Sequence, residues 1–101
     1  IASTFRQIEL YRALDLPVPR FAHVPLVCGA DGRRLAKRHG DTRMSHYQDQ
    51  GVSSSQVVTW AARSAGMLAD NEQAESAHAM IERFDWARLP SGDVILDDFP
   101  A

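Results

Sequence analysis

Leu16-Pro17-Val18-Pro19 constrains the fold of this chain more than any other stretch. Proline has no backbone N–H, fixes φ, and pushes the residue before it out of the helical region, so a helix that reaches Leu16 must stop there. Upstream, Ile8, Leu10, Tyr11 and Leu14 supply the apolar side of a first helix ending near Leu14, opened by Thr4 and Gln7 at capping-box spacing. Downstream, Phe21 to Cys28 is apolar and strand-compatible, with Pro25 marking an edge position or an irregular stretch. Gly29-Ala30-Asp31-Gly32 is a turn, and Arg33-Arg34-Leu35 returns as a short second strand. The result is a hairpin whose far arm is basic.

After Gly40, Asp41 or Thr42 caps a helix through Met44 and Tyr47 to Gln50, with Gly51 as the left-handed residue that ends it. Ser53 and Gln56 form a second capping-box pattern. The helix they open carries Val57, Val58, Ala61, Ala62 and Ala65 on one side and ends near Gly66. A last helix is predicted from about Glu72 to Phe84, with Ala77, Met80, Ile81 and Phe84 at i, i+3, i+4 and i+7. Beyond it, Pro90, Gly92 and Pro100 with Asp85, Asp93, Asp97 and Asp98 predict a loosely packed acidic tail anchored by Val94-Ile95-Leu96. The expected fold class is mixed α/β and mostly helical.

With 101 residues and one cysteine, Cys28, the chain fits one small domain without a disulfide. No apolar run approaches the roughly 18 residues that span a bilayer, and a cytoplasmic, membrane-free protein is expected. The first residue, Ile1 rather than Met, predicts a piece of a longer protein. Residues 1–69 hold nine Lys and Arg against five Asp and Glu, whereas residues 70–101 hold two against eight. Cys28 has no CxxC partner, and His23, His39, His46 and His78 never fall at i, i+4, so no metal site is expected. Ser53, Ser54 and Ser55 are accounted for by capping, and no GxSxG elbow or P-loop is present. What remains is the run Arg33 to Thr42. Lys37 is the chain's single lysine among eleven basic residues, and its compact ammonium suits a mobile phosphate contact.

Residues 21–42, Phe-Ala-His-Val-Pro-Leu-Val followed by Arg-Leu-Ala-Lys-Arg-His-Gly-Asp-Thr, resemble the KMSKS loop of class I glutamyl-tRNA synthetases, where the pattern KLSKR-x-GDT follows a His-x-Pro-Leu strand. The likeness extends through Ser3-Thr4-x-Arg6-Gln7 and Tyr47-x-x-x-Gly51, covering roughly residues 3–68. Arg34 stands in place of the family's first lysine and Ala36 in place of its serine, while Lys37 matches the second lysine. The resemblance implies that residues 1–40 end a Rossmann-type nucleotide-binding domain, 41–90 form a small helical bundle contacting the tRNA stem, and 91–101 form an acidic tail. It implies Lys37 as the catalytic cation on the ATP phosphates, with Arg34, Leu35, Ala36 and Arg38 completing the ATP-binding loop.

Leu26 and Val27 are expected to line the ATP base, although strand packing explains them equally well. His23 is either part of an adenine pocket or a half-buried structural histidine. Arg43 and Arg63 are weak candidates for tRNA phosphates, against solvated helix faces. Trp60, Met80, Phe84 and Trp86 are core or docking residues.

The segment Arg83-Phe84-Asp85-Trp86-Ala87-Arg88-Leu89-Pro90 resembles the branch of truncated paralogues that moves activated glutamate to the queuosine base of tRNA(Asp). The implied parent protein binds ATP with Mg2+, glutamate and tRNA, with tRNA(Asp) favoured. Any zinc belongs to residues ahead of Ile1, and this piece alone is expected to be inactive. Two alternatives stay open: an ordinary glutamyl-tRNA synthetase charging tRNA(Glu), and a non-catalytic RNA-binding or interaction module. Exposed apolar faces on the first helix and hairpin further predict self-association of the isolated piece.

Overall fold

The computed structural model describes residues 2–40 and 42–96. The expectations for Ile1, for Asp41 as a cap, and for Asp97, Asp98 and Pro100 lie outside the described residues. Helix α1 (Ala2–Ala13) begins ahead of Thr4, which therefore does not cap it. The Thr4 hydroxyl instead lies 3.4 Å from His23 Nε2. Asp15, with φ of 55°, ends the helix: Leu16 N–H donates to the Tyr11 carbonyl at 2.9 Å and Asp15 N–H to Arg12 at 3.1 Å. These bonds satisfy carbonyls that the helix end would otherwise leave unpaired. No residue of α1 is buried, and Leu10 and Leu14 are each 60% exposed.

The strand expected over residues 21–28 is reduced to β1 (Val27–Cys28). Its partner in a two-stranded sheet is β2 (Val94–Ile95), the expected anchor of the tail. The strands run parallel, with Val27 opposite Val94 and Cys28 opposite Ile95. Val94 N–H donates to the Leu26 carbonyl at 2.8 Å and Leu96 N–H to Cys28 at 2.7 Å. Pro25 has no N–H to give, and β2 offers only two residues, so the ladder cannot extend toward Phe21. The hairpin's return arm is a single antiparallel bridge, Cys28 to Arg34.

Helix α2 (Met44–Asp49) starts after Arg43 without a side-chain cap, so Thr42 does not play that part. It ends as expected at Gly51, whose φ is 84°. Helix α3 (Ser54–Ser64) opens with the reciprocal bonds that the sequence predicts: Gln56 N–H donates to Ser53 Oγ at 3.2 Å, and Ser53 N–H to Gln56 Oε1 at 2.8 Å. Its buried face differs from the apolar expectation. Thr59 and Ala62 are buried, Ala61 is exposed, and Val57, Val58 and Ala65 are half-buried.

The reason lies in the next segment, which is not helical from Glu72. Ser76 caps a shorter helix, α4 (Ala77–Met80), followed by a 3-10 turn at Ile81–Arg83. Ala74 is committed to α3 instead: its N–H donates to Thr59 Oγ1 at 2.9 Å, and its carbonyl accepts from Ser55 Oγ at 2.9 Å. Ala62, Leu68, Ala74 and Met80 make the buried cluster, with Val58 and Met67 against it. Of the four residues at helical spacing in the predicted last helix, Met80 alone is buried; Ala77, Ile81 and Phe84 are exposed.

Thr59 therefore replaces a missing backbone partner inside the core. Thr59→Val keeps the shape and strands the Ala74 N–H, an expected loss of about 1–3 kcal/mol. Thr59→Ser keeps the oxygen and loses only a methyl. Amide exchange of Ala74 in the whole protein checks this, with acceleration expected in the valine variant alone.

Candidate functional site

The basic run is shaped by the turn that precedes it. Gly32 N–H donates to the Gly29 carbonyl at 2.9 Å, and Gly29 N–H to Arg33 at 2.9 Å, closing the hairpin. Leu35 N–H then bonds the Val27 carbonyl at 3.1 Å, which aims the chain away from the sheet at Ala36. Residues Lys37–His39 form a 3-10 turn with extended backbone at Ala36. His39 N–H closes it on the Ala36 carbonyl at 2.9 Å.

Asp31 organises the charges. Its Oδ1 accepts from Arg33 N–H at 3.0 Å and lies 2.8 Å from His39 Nε2; its Oδ2 accepts from Arg38 Nε at 3.4 Å. Arg38 Nη2 also donates to the Arg34 carbonyl at 3.2 Å. The His39 bond, followed by the Arg33 amide, holds the Asp31 carboxyl down at about 2. His39 Nδ1 accepts from Ala36 N–H at 3.1 Å. Its ring covers Gly29, where any Cβ would collide with the imidazole. Among the described residues, no carboxylate bonds Lys37. Its side chain borders a hollow with Leu35, Ala36, Gly40, Thr42 and Arg43.

The arrangement thus sorts its cations. Asp31 satisfies Arg38, whereas Lys37, bonded by no carboxylate among the described residues, borders a concavity open to an external anion. Leu26 lies elsewhere, in a hollow with His23, Trp86, Leu89 and Asp93. Val27 is half-buried, and the Leu26 and Val27 carbonyls accept from Val94 and Leu35. His23 is exposed rather than half-buried. Arg63 does not sit on a solvated face: its Nη2 donates to the Glu72 carbonyl at 2.6 Å, and its buried Nε has no partner among the described residues. Trp60 is half-buried, while Trp86 is 61% exposed with its ring edge-to-face on Phe84.

In the sequence Asp31 and Gly29 signal only a turn, and His39 is only one position of the loop motif. Asp31 and His39 lie eight residues apart across a turn and irregular backbone, where neither helical nor strand periodicity applies, so no pattern flags the pair. Cys28 is buried beneath the hairpin, and burial, then the charge and hydrogen bond of Asp93, push its thiol pKa up. A thiol so placed is a poor nucleophile. Among the described residues, no group of three His, Cys, Asp or Glu is placed to hold a metal, and no helix is long and apolar enough to cross a membrane.

A second carboxylate is tied down outside the loop. Glu72 receives Arg83 at 2.7 and 3.1 Å and Ala69 N–H at 3.0 Å, which lowers it from 4.5 to about 2. A carboxylate lowered on folding contributes stability that is fully present above its unfolded value. That contribution is lost as pH falls through the folded value. Acid is therefore expected to loosen both Glu72 and Asp31 between about pH 4.5 and 2, with the effect limited by solvent around these half-exposed groups. Denaturation midpoints of the whole protein across that range should fall less steeply for Glu72→Gln than for the parent.

The family model for the class I tRNA synthetases (E and Q), catalytic domain, matches residues 1–98. The Glutamyl-Q tRNA(Asp) synthetase of Rhodopirellula baltica is 51% identical over 98% of this chain and 32% of its own length. That of Symbiobacterium thermophilum is 47% identical over 87% of this chain and 27% of its own. The glutamate–tRNA ligase of Nitrosomonas europaea is 39% identical over 88% of this chain and 19% of its own. The chain thus spans about a third or less of the length of these curated relatives. A chain matched over nearly all its residues by that family model belongs to the class I glutamyl- and glutaminyl-tRNA synthetase family, within its catalytic domain.

Proposed function

We propose that this chain is the ATP-phosphate loop and adjoining helical part of a ligase that activates glutamate as its adenylate and passes it to the queuosine base of tRNA(Asp). The observation that carries the reading is the 51% identity over 98% of the chain to a protein named for that reaction. The loop geometry supports it. Glutamate attacks the α-phosphorus of ATP, pyrophosphate departs, and negative charge builds on the leaving phosphates. A cation held at that position lowers the barrier.

Lys37 lines a hollow with no carboxylate bonded to it among the described residues, so its charge is available to the nucleotide. Arg34 keeps the charge of the family's first lysine, and Ala36 leaves the Lys37–His39 turn without a side-chain cap. Residues 1–40 then close the nucleotide-binding domain and 41–90 approach the tRNA stem, where Arg43 is exposed and Arg63 half-buried. Mg2+ enters on the phosphates of ATP; residues of the remaining chain would have to hold any zinc.

The identity to glutamate–tRNA ligases favours a second reading, charging of tRNA(Glu). The whole protein, supplied with ATP and labelled glutamate, should label queuosine-containing tRNA(Asp) and leave queuosine-free tRNA(Asp) and tRNA(Glu) unlabelled. Label on tRNA(Glu) would establish the second reading instead.

A further inference from the structure

The geometry points to His39 as a positioning residue for Lys37: a neutral imidazole that joins the Asp31 carboxylate to the Ala36 amide and so fixes the turn bearing the phosphate-binding ammonium. The inference rests on the ATP-loop reading and deepens it.

A backbone N–H only donates, so the Nδ1 that faces Ala36 N at 3.1 Å carries no proton. The neutral ring then holds its proton on Nε2 and donates it to Asp31 Oδ1 at 2.8 Å. His39 occupies the third position of the Lys37–His39 turn and reaches back to the amide of the residue that precedes it. Glutamate or glutamine does the same in a capping box. Here the imidazole does more, because its second nitrogen ties the turn to the hairpin tip, eight residues earlier. The side chain is only 13% exposed, and Gly29 lies beneath the ring with no room for a Cβ.

Ala36 offers no hydroxyl to cap this turn, so the side-chain hydrogen bonds that hold it come from His39 and Arg38. The turn's other side-chain restraints, Arg38 on Asp31 at 3.4 Å and on the Arg34 carbonyl at 3.2 Å, are longer and come from a side chain about half exposed. Loss of the imidazole would leave Lys37 on a turn free to move relative to the sheet, without removing any charge that meets the nucleotide.

Pyrophosphate exchange by the whole protein, with ATP and glutamate varied in turn, tests this. His39→Ala should raise KM for ATP about tenfold, the worth of one charge-assisted hydrogen bond. KM for glutamate should stay within about twofold of the parent. His39→Gln, whose amide both accepts and donates, should restore most of the loss. Gly29→Ala should reproduce the alanine phenotype by expelling the ring. Ring 15N shifts of His39 should report a proton on Nε2 and none on Nδ1.

A normal KM for ATP in His39→Ala, or a protonated Nδ1 in the neutral ring, would overturn the inference. Lys37→Ala, run beside these, separates the two levels. If it too is unaffected, the phosphate-loop reading is wrong; if it is crippled while His39→Ala is normal, only the positioning role fails.

Discussion

Lys37→Ala in the whole protein is expected to lower glutamate-dependent pyrophosphate exchange by about 10²–10³-fold, the usual cost of deleting one preorganised group that meets developing charge. The folded state should hardly notice, since the side chain is exposed and bonds no carboxylate among the described residues. Surface changes of that kind shift stability by only about 0.5 kcal/mol in either direction. Lys37→Arg should fall between the parent and alanine, because guanidinium keeps the charge but presents it as a planar fork rather than a compact point. Arg38→Ala should behave differently. Arg38 bonds Asp31 and the Arg34 carbonyl, so its loss disturbs the shape of the loop more than the charge facing ATP. A Lys37→Ala protein that exchanges pyrophosphate at the parent's rate would remove Lys37 from the reaction.

The contrast between these two neighbours was only half legible in the sequence. A basic run after a glycine turn, with one lysine among arginines, marks the loop and even the residue within it. What distinguishes Lys37 from Arg38 is Asp31, which turn chemistry alone explains in a one-dimensional reading. Local signals held for Ser53 with Gln56 and for Gly51 and Gly66 at helix ends, but not for Thr4 with Gln7, which α1 overruns, or for Thr42, which α2 does not use as its cap.

They failed where a distant segment competed. Apolar spacing favoured a helix from Glu72, but the Ala74 backbone is bonded by Ser55 and Thr59, and Glu72 is bonded by Arg83 and Ala69. Extended backbone at Ser76 then starts the helix five residues later than that spacing suggests. The parallel pairing of Val27–Cys28 with Val94–Ile95 is invisible for the same reason, since two-residue strands carry no period. The apolar side of α1 was legible, yet its spacing says nothing about what covers it; Phe5, Leu10 and Leu14 remain exposed in this chain.

Gly66 illustrates how a residue read correctly as a helix end can carry a second, long-range duty, and it supports the largest stability effect expected here. Its φ of 75° is the left-handed region, where Met67 N–H bonds the Ala62 carbonyl at 2.9 Å and Gly66 N–H bonds Arg63 at 3.0 Å. Alanine there costs about 1–2 kcal/mol from backbone sterics alone. A Cβ at Gly66 would also strike the Arg88 carbonyl, which belongs to the backbone of the Trp86–Arg88 3-10 turn and cannot swing aside like a side-chain tip. Gly66→Ala must therefore either distort the end of α3 beside the buried Ala62 and Leu68 or displace the 86–88 turn, for a total expected loss of about 2–4 kcal/mol.

Gly51 supplies the control, because its φ of 84° imposes the same strain while open space surrounds its would-be Cβ. Gly51→Ala should cost only the strain. Amide exchange in the whole protein separates the two: Gly66→Ala should accelerate exchange at Met67 and Leu89, whose N–H groups bond Ala62 and Trp86, whereas Gly51→Ala should affect Val52 alone. Equal losses in the two variants would mean that the Arg88 turn moves away at no cost and that the contact between α3 and the 86–88 segment contributes nothing to the fold.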